Sequence, residues 1–304
     1  MVKKMIQEKI ITTNNYKIYK YGLSNWPLHY TAVFPLRSFG DIISMEEIYD
    51  CDFPLELRKI FSKFVNYVDP LNLEYVLHNL ESVSVVYTDK KDDLNGFASN
   101  QNWTGSYKPF HNQISIFEKN DLTLSHEFLH MASTSPTNPP MTGFSIVSLD
   151  NEKQNIIFFG DGLNEGYTEL LNIRIFGNDR SQCAYAANVR IVRLLECFFD
   201  NYRDMEWAYF HNNIDLLYRA FCKYGTRSEF FTIINQLDLF LNDYDPITYY
   251  KVLSKLHDII KRSNDPDKIR KFEEILYKDS VYNLASKLDF AFGDLESIDS
   301  FEKK

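Results

Sequence analysis

The sequence predicts an α+β fold: an amino-terminal mixed or antiparallel sheet with its helices, followed by an all-α carboxy-terminal lobe. Three observations lead there. Runs rich in Ile, Thr, Tyr and Val, separated by turn residues, recur as far as Phe159. From Ser181 onward such runs stop, and apolar residues fall at helical spacing. Asp245-Pro246 and Asp265-Pro266 each set a capping carboxylate before a proline, a helix-start signature. The 304 residues accordingly divide into an α+β segment 1–81, a core 82–177 and a helical lobe 178–304.

In chain order, residues 9–20 and 29–36 read as two strands of a hairpin, with Gly22 and Pro27 between them. Asp52 caps a helix with Pro54 in its first turn, running to Tyr67. Asp69-Pro70 opens another, ending near Leu80. The β-branched stretch 82–87 is a strand. Residues 95–107, with Gly96 and Gly105, read as a loop, and 111–117 as a strand. Asn120-Asp121 caps a helix over 122–133, given an apolar face by Leu124, Phe128, Leu129 and Met131. Pro-rich residues 134–140 end it. A hairpin over 144–149 and 155–159 leads into a helix from Gly162 to Gly177. Helices are then expected from Ser181 to Asp200 and over 205–223, 227–241, 246–262, 266–278 and 280–288.

Composition narrows the function. Hydrophobic residues make up 44%, enough for a sizeable core, and 24 Phe with 20 Tyr supply much of it. The net charge of −9, without a basic stripe, argues against nucleic-acid and anionic-membrane partners. No stretch approaches the ~20 apolar residues of a membrane span, and no apolar leader core follows Met1. A cytoplasmic location is the expectation. Cys51, Cys183, Cys197 and Cys222 form no C-x-x-C pair and read as buried free thiols of a reducing compartment.

The chemistry concentrates in His126-Glu127-x-x-His130. Residues four apart share one face of a helix, so the two imidazoles can close on a single zinc ion. Glu127, beside the first histidine, is placed to serve as general base. With 7 histidines in the chain, chance yields this pattern in about one such sequence in a hundred. Asn164-Glu165-x-x-Thr168-Glu169 follows on the next helix. Glu165 supplies a third metal ligand. Glu169, one turn on, can accept a hydrogen bond from a ligand imidazole and fix its tautomer.

H-E-x-x-H followed by N-E-x-x-[S/T]-[D/E] resembles the gluzincin metallopeptidases, the thermolysin-like clan. Leu163-Asn164-Glu165-Gly166 is similar to the L-N-E-G segment of gluzincin aminopeptidases. The likeness is greatest to small bacterial gluzincin-like proteins with an N-E-G-x-T-E segment, and it spans residues 82–176. It implies that His126, His130 and Glu165 bind Zn2+, that Glu127 activates water and that Glu169 orients a histidine. The core 82–177 would then be the catalytic one. The G-x-M-E-N exopeptidase segment is absent, which favours an endopeptidase acting on a polypeptide.

Such a site needs a further donor to the developing oxyanion. Tyr185 is the first candidate and His211 the second. Asn100 and Asn102, with Trp103, are candidates for substrate backbone binding. Residues 113–117 are a candidate sheet edge for pairing an extended peptide, and His111 can face the cleft from that strand. Two alternatives stand beside the peptidase: a non-catalytic zinc-fold protein that binds a partner through its helical lobe, and a zinc hydrolase of small amides.

Overall fold

A β-branched stretch bounded by Asn and Gly forms strands, and the amino-terminal segment obeys that rule more finely than its composition predicts. The computed structural model describes residues 6–12, 16–22, 29–35, 54–88, 104–117, 121–150, 155–177, 185–241 and 245–278. The chain divides into two compact units, residues 1–142 and 143–304. The whole is α+β with a helical carboxy-terminal part.

In the first unit, β1 (Ile6–Thr12), β2 (Tyr16–Gly22) and β3 (His29–Pro35) form an antiparallel sheet in that order. Residues 9–20 are therefore two strands and not one. Helix α1 (Leu55–Tyr67) starts with Pro54 in the capping position, later than expected; Asp52 lies outside the described residues. Asp69 accepts from the Leu71 amide at 2.9 Å and caps a 3₁₀ turn, Pro70–Leu73, which leads into α2 (Glu74–Leu80).

The second sheet is mixed. β4 (Ser84–Tyr87) runs parallel to β6 (Gln113–Ile116), and β5 (Gly105–Lys108) pairs with β6 on its other side, antiparallel. β5 replaces part of the loop expected over 95–107. Gly105, the residue that pointed to a loop, is there for packing: a Cβ on it would stand 2.5 Å from Thr123 Cγ2 and 3.1 Å from the Ser115 carbonyl. The gap lets α3 (Asp121–Ala132) lie on the sheet. Because β6 is central, its backbone is used on both sides, so residues 113–117 are not a sheet edge. His111 sits in an exposed 3₁₀ turn before β6 and not on the strand.

Helix α3 buries Leu124, Phe128, Leu129 and Met131, the apolar set the sequence assigned to it. Phe128 meets Phe64 of α1 edge-on at 5.3 Å. Burying an aromatic of this size contributes about 1.5–3 kcal/mol.

The second unit begins with the hairpin β7 (Ile146–Asp150) and β8 (Asn155–Phe159). Every later described element is helical: α4 (Asp161–Phe176), α5 (Ala186–Glu196), α6 (Tyr202–Phe210), α7 (Ile214–Phe221), α8 (Arg227–Phe240), α9 (Pro246–Lys261) and α10 (Pro266–Lys278). The expected helix 205–223 is broken in two. Asn212 takes a left-handed conformation, φ 52°, and Asn213 caps α7 through the Leu216 amide. Helix α5 starts at Ala186; Ser181, Cys51, Cys183 and the helix expected over 280–288 lie outside the described residues. Cys197 is a buried free thiol that burial pushes up to about 12, while Cys222 is only partly buried. Among the described residues no helix is long and apolar enough to cross a membrane.

Phe144, Tyr167 and Tyr209 pack ring against ring at 5.3–5.6 Å in the core of this unit. The same unit carries a charged group. Arg174 pairs bidentately with Glu196 at 2.6 Å, Arg203 pairs with Glu206 at 2.7 and 2.8 Å, and both arginines cover the Tyr202 ring. Glu206 is wholly enclosed. Burial pushes its carboxyl up to about 7, although Arg203 and Arg174 pull the other way. A carboxyl raised from its ordinary 4.5 holds its proton longer in the folded than in the unfolded state. Its contribution to stability is therefore complete below about 4.5 and lost as pH rises through about 7. Relative to Glu206→Gln, the native protein should gain about 3 kcal/mol between pH ~8 and pH ~4.5. Urea unfolding of both proteins across that range checks it; parallel pH profiles would refute it.

Candidate metal centre

Two histidines four residues apart lie one above the other on α3, and the helix ends immediately after them. That end is tied down closely. The His130 carbonyl, in the last turn of the helix, accepts from Thr134 Oγ1 at 2.7 Å and Ser133 Oγ at 3.1 Å. Asn79 of α2 donates to the Met131 and Thr134 carbonyls, both at 2.8 Å. Asn112, left-handed at φ 45°, donates in turn to the Asn79 carbonyl and accepts from the Tyr107 hydroxyl. Burial raises the Tyr107 hydroxyl above its ordinary range, so it stays a donor. A chain of polar contacts from β5 through α2 thus fixes where α3 presents its rings.

The rings converge. His126 Nε2 and His130 Nε2 stand 3.1 Å apart, with ring centroids 4.8 Å apart. Two nitrogens bound at 2.0–2.1 Å around a tetrahedral ion are separated by about 3.3 Å. Both rings are buried, as is Glu127 between them in sequence.

Glu165 completes the group. One ligand atom from each of His126, His130 and Glu165 lies within 4.8 Å of the other two, and this cluster could hold a metal ion. Two imidazoles and a carboxylate suit a divalent cation of intermediate softness, and three protein donors leave a coordination position over.

Helix α4 carries Glu165 and is built to hold it. Gly160, at the capping position with φ 86°, has no side chain to satisfy the first amides. Asp238 of α8 supplies the acceptor: Oδ2 takes the Gly160 N–H at 2.9 Å and Oδ1 the Gly162 N–H at 2.7 Å. Burial pushes the Asp238 carboxyl up to about 6, with these two amides pulling it down. Asn188 of α5 donates to both the Gly162 and Leu237 carbonyls, at 2.9 and 3.0 Å. Gly162 and Gly166 let the backbones meet. A Cβ on Gly162 would collide with the Leu237 carbonyl, and one on Gly166 would stand 2.8 Å from Asn188 Cβ. Asn164 Oδ1 accepts from the Phe144 amide at 3.1 Å, and Thr168 Oγ1 shares a 2.6 Å hydrogen bond with the Tyr209 hydroxyl. At the far end Gly177 closes the helix left-handed, its N–H on the Ile173 carbonyl.

The remaining expected site residues fall as follows. Glu169 is buried on α4, and Asn172 donates to its Oε2 at 3.3 Å. Tyr185 occupies the capping position of α5, partly buried. His211 stacks on Trp207 at 4.3 Å with Nδ1 against the Trp207 carbonyl, outside the metal group. Asn100, Asn102 and Trp103 lie outside the described residues. Sequence reasoning missed Asp238, Asn188 and Asn79, whose partners all lie on elements distant in sequence.

In comparisons with known proteins, no family model matches this chain, and no curated protein or solved structure matches it.

Proposed function

We propose that this chain is a zinc-dependent peptidase of the gluzincin kind, an endopeptidase acting on polypeptides. One observation carries the reading: His126, His130 and Glu165 bring ligand atoms within 4.8 Å of one another, with Glu127 buried beside the first histidine. The spacing of the two Nε2 atoms supports a tetrahedral ion, and the two-imidazole, one-carboxylate set supports zinc. When bound, the ion would lower the pKa of a coordinated water toward ~7 and polarise the scissile carbonyl.

The chain's own residues do the rest. His126, His130 and Glu165 hold the cation. Glu127 takes a proton from the attacking water and returns it to the departing amine. Glu169 accepts the outer N–H of a ligand imidazole and keeps its inner nitrogen basic. Tyr185 is the assigned donor to the oxyanion. The rigid mounting of α3 by Asn79 and of α4 by Asp238 suits a site that must keep its geometry through turnover.

Metal analysis of the purified chain, with a mixed peptide library read by mass spectrometry, tests this. One zinc per chain is expected. Cleavage should stop on chelation and return with zinc. Zinc at a hundred times its Kd should stabilise the fold by about 2.7 kcal/mol. A chain whose melting and peptide profile ignore added zinc would end the reading.

A further inference from the structure

We propose that Asp238 is a positioning residue for Glu165, capping from a distant helix the first turn of the helix on which that carboxylate rides. The inference rests on the zinc reading above and adds a residue to its machinery.

Helix α4 begins with two amides that no side chain of its own satisfies, because Gly160 stands where a Ser, Asp or Asn would. Both oxygens of Asp238 are spent there, on Gly160 and Gly162. Glu165 follows Gly162 by three residues, so the turn that Asp238 closes lies directly beneath it. Asn188 pins the same turn from α5, through the Gly162 and Leu237 carbonyls. Leu237 neighbours Asp238, so both clamps work through one stretch of α8. Nothing in this requires Asp238 to touch the metal or the substrate. Its effect passes through the backbone of residues 160–165 to a side chain that has to meet two imidazoles.

The rest of α4 is secured independently. Arg174 is bound to Glu196, and Tyr167, Leu170 and Leu171 are buried. Removing Asp238 should loosen the first turn without unfolding the unit. That separates positioning from global stability.

The test uses the full chain at neutral pH with four proteins: wild type, Asp238→Ala, Asp238→Asn and Thr226→Ala. Thr226 caps α8 in a reciprocal box with Glu229, so its loss weakens the same helix without touching α4. Zinc affinity is read by competition with a chromophoric chelator, and amide exchange of residues 160–165 by NMR. Asp238→Ala should weaken zinc binding tenfold to a hundredfold, about the range for partners that orient a metal ligand. It should also accelerate exchange in the first turn. Asp238→Asn keeps one acceptor oxygen and should fall between. Thr226→Ala should lower the melting temperature and leave zinc affinity and first-turn exchange as in wild type. Unchanged affinity in Asp238→Ala, or an equal loss in Thr226→Ala, would overturn the assignment. A wild type that binds no zinc would instead bring down the peptidase reading, and this inference with it.

Discussion

Glu127→Gln is expected to bind zinc as the native chain does and to lose peptide hydrolysis by about 10²–10⁴-fold, the usual contribution of a general base. The change is nearly isosteric. The side chain is buried on α3, whose Leu124, Phe128, Leu129 and Met131 form the core contacts, so the fold has no reason to respond. What disappears is an oxygen able to take a proton. The amide cannot accept one at neutral pH, and the site's other two carboxylates have separate tasks in this reading: Glu165 in holding the ion, Glu169 in orienting a ligand. Metal content, melting temperature and cleavage rate, measured on one preparation, check the claim. A variant that cleaves the peptide library at the wild-type rate would remove Glu127 from the mechanism.

Gly162→Ala is expected to destabilise the second unit and weaken zinc binding together. In a helix interior, Gly to Ala ordinarily stabilises by about 1 kcal/mol. Here the sign should reverse, because the new Cβ would enter the Leu237 carbonyl and force α4 away from α8. Overpacking of this kind costs about 1–3 kcal/mol. Separation of the helices would further break the Asn188 bridge and the Asp238 cap, so zinc affinity should fall together with stability. Gly177→Ala is the comparison. It meets nothing within 4 Å, and only its left-handed φ of 69° penalises a side chain, by about 1–2 kcal/mol. It should destabilise mildly and leave metal binding alone. Thermal melts with and without zinc decide. A Gly162→Ala chain that melts at or above wild type would show that the α4–α8 contact has slack.

The candidate metal-site residues His126, Glu127 and His130 were legible because their signal is local. They sit within one helical turn, so periodicity alone puts both imidazoles on one face. Helices α9 and α10 were legible for the same reason: Asp245-Pro246 and Asp265-Pro266 carry their start signals in adjacent residues. Misreadings arose where the same residue type has two physical uses. Gly105 reads as a loop residue, yet it is a gap that lets α3 approach β5. Asn212 and Asn213 fall inside one helical pattern, although the first is left-handed and the second a cap. The centrality of β6 had no local signature, because it depends on the strand that Gly105 had concealed. Asp238 was invisible in principle: its partners are 76 and 78 residues away, and no pattern on α8 says which helix it will close.

That separation also orders events during synthesis. Residues 160–165 are made early, yet their first turn lacks its acceptor until the ribosome has passed residue 238 and α8 has docked. Contacts of such sequence separation form slowly, since a long loop must be closed before they repay its entropy. A nascent chain ending before α8 therefore holds both imidazoles on a helix made in full, but Glu165 rides on one whose first turn is still uncapped. If the cluster holds a metal as proposed, its capture becomes a late step, reached only when most of the helical unit has been assembled.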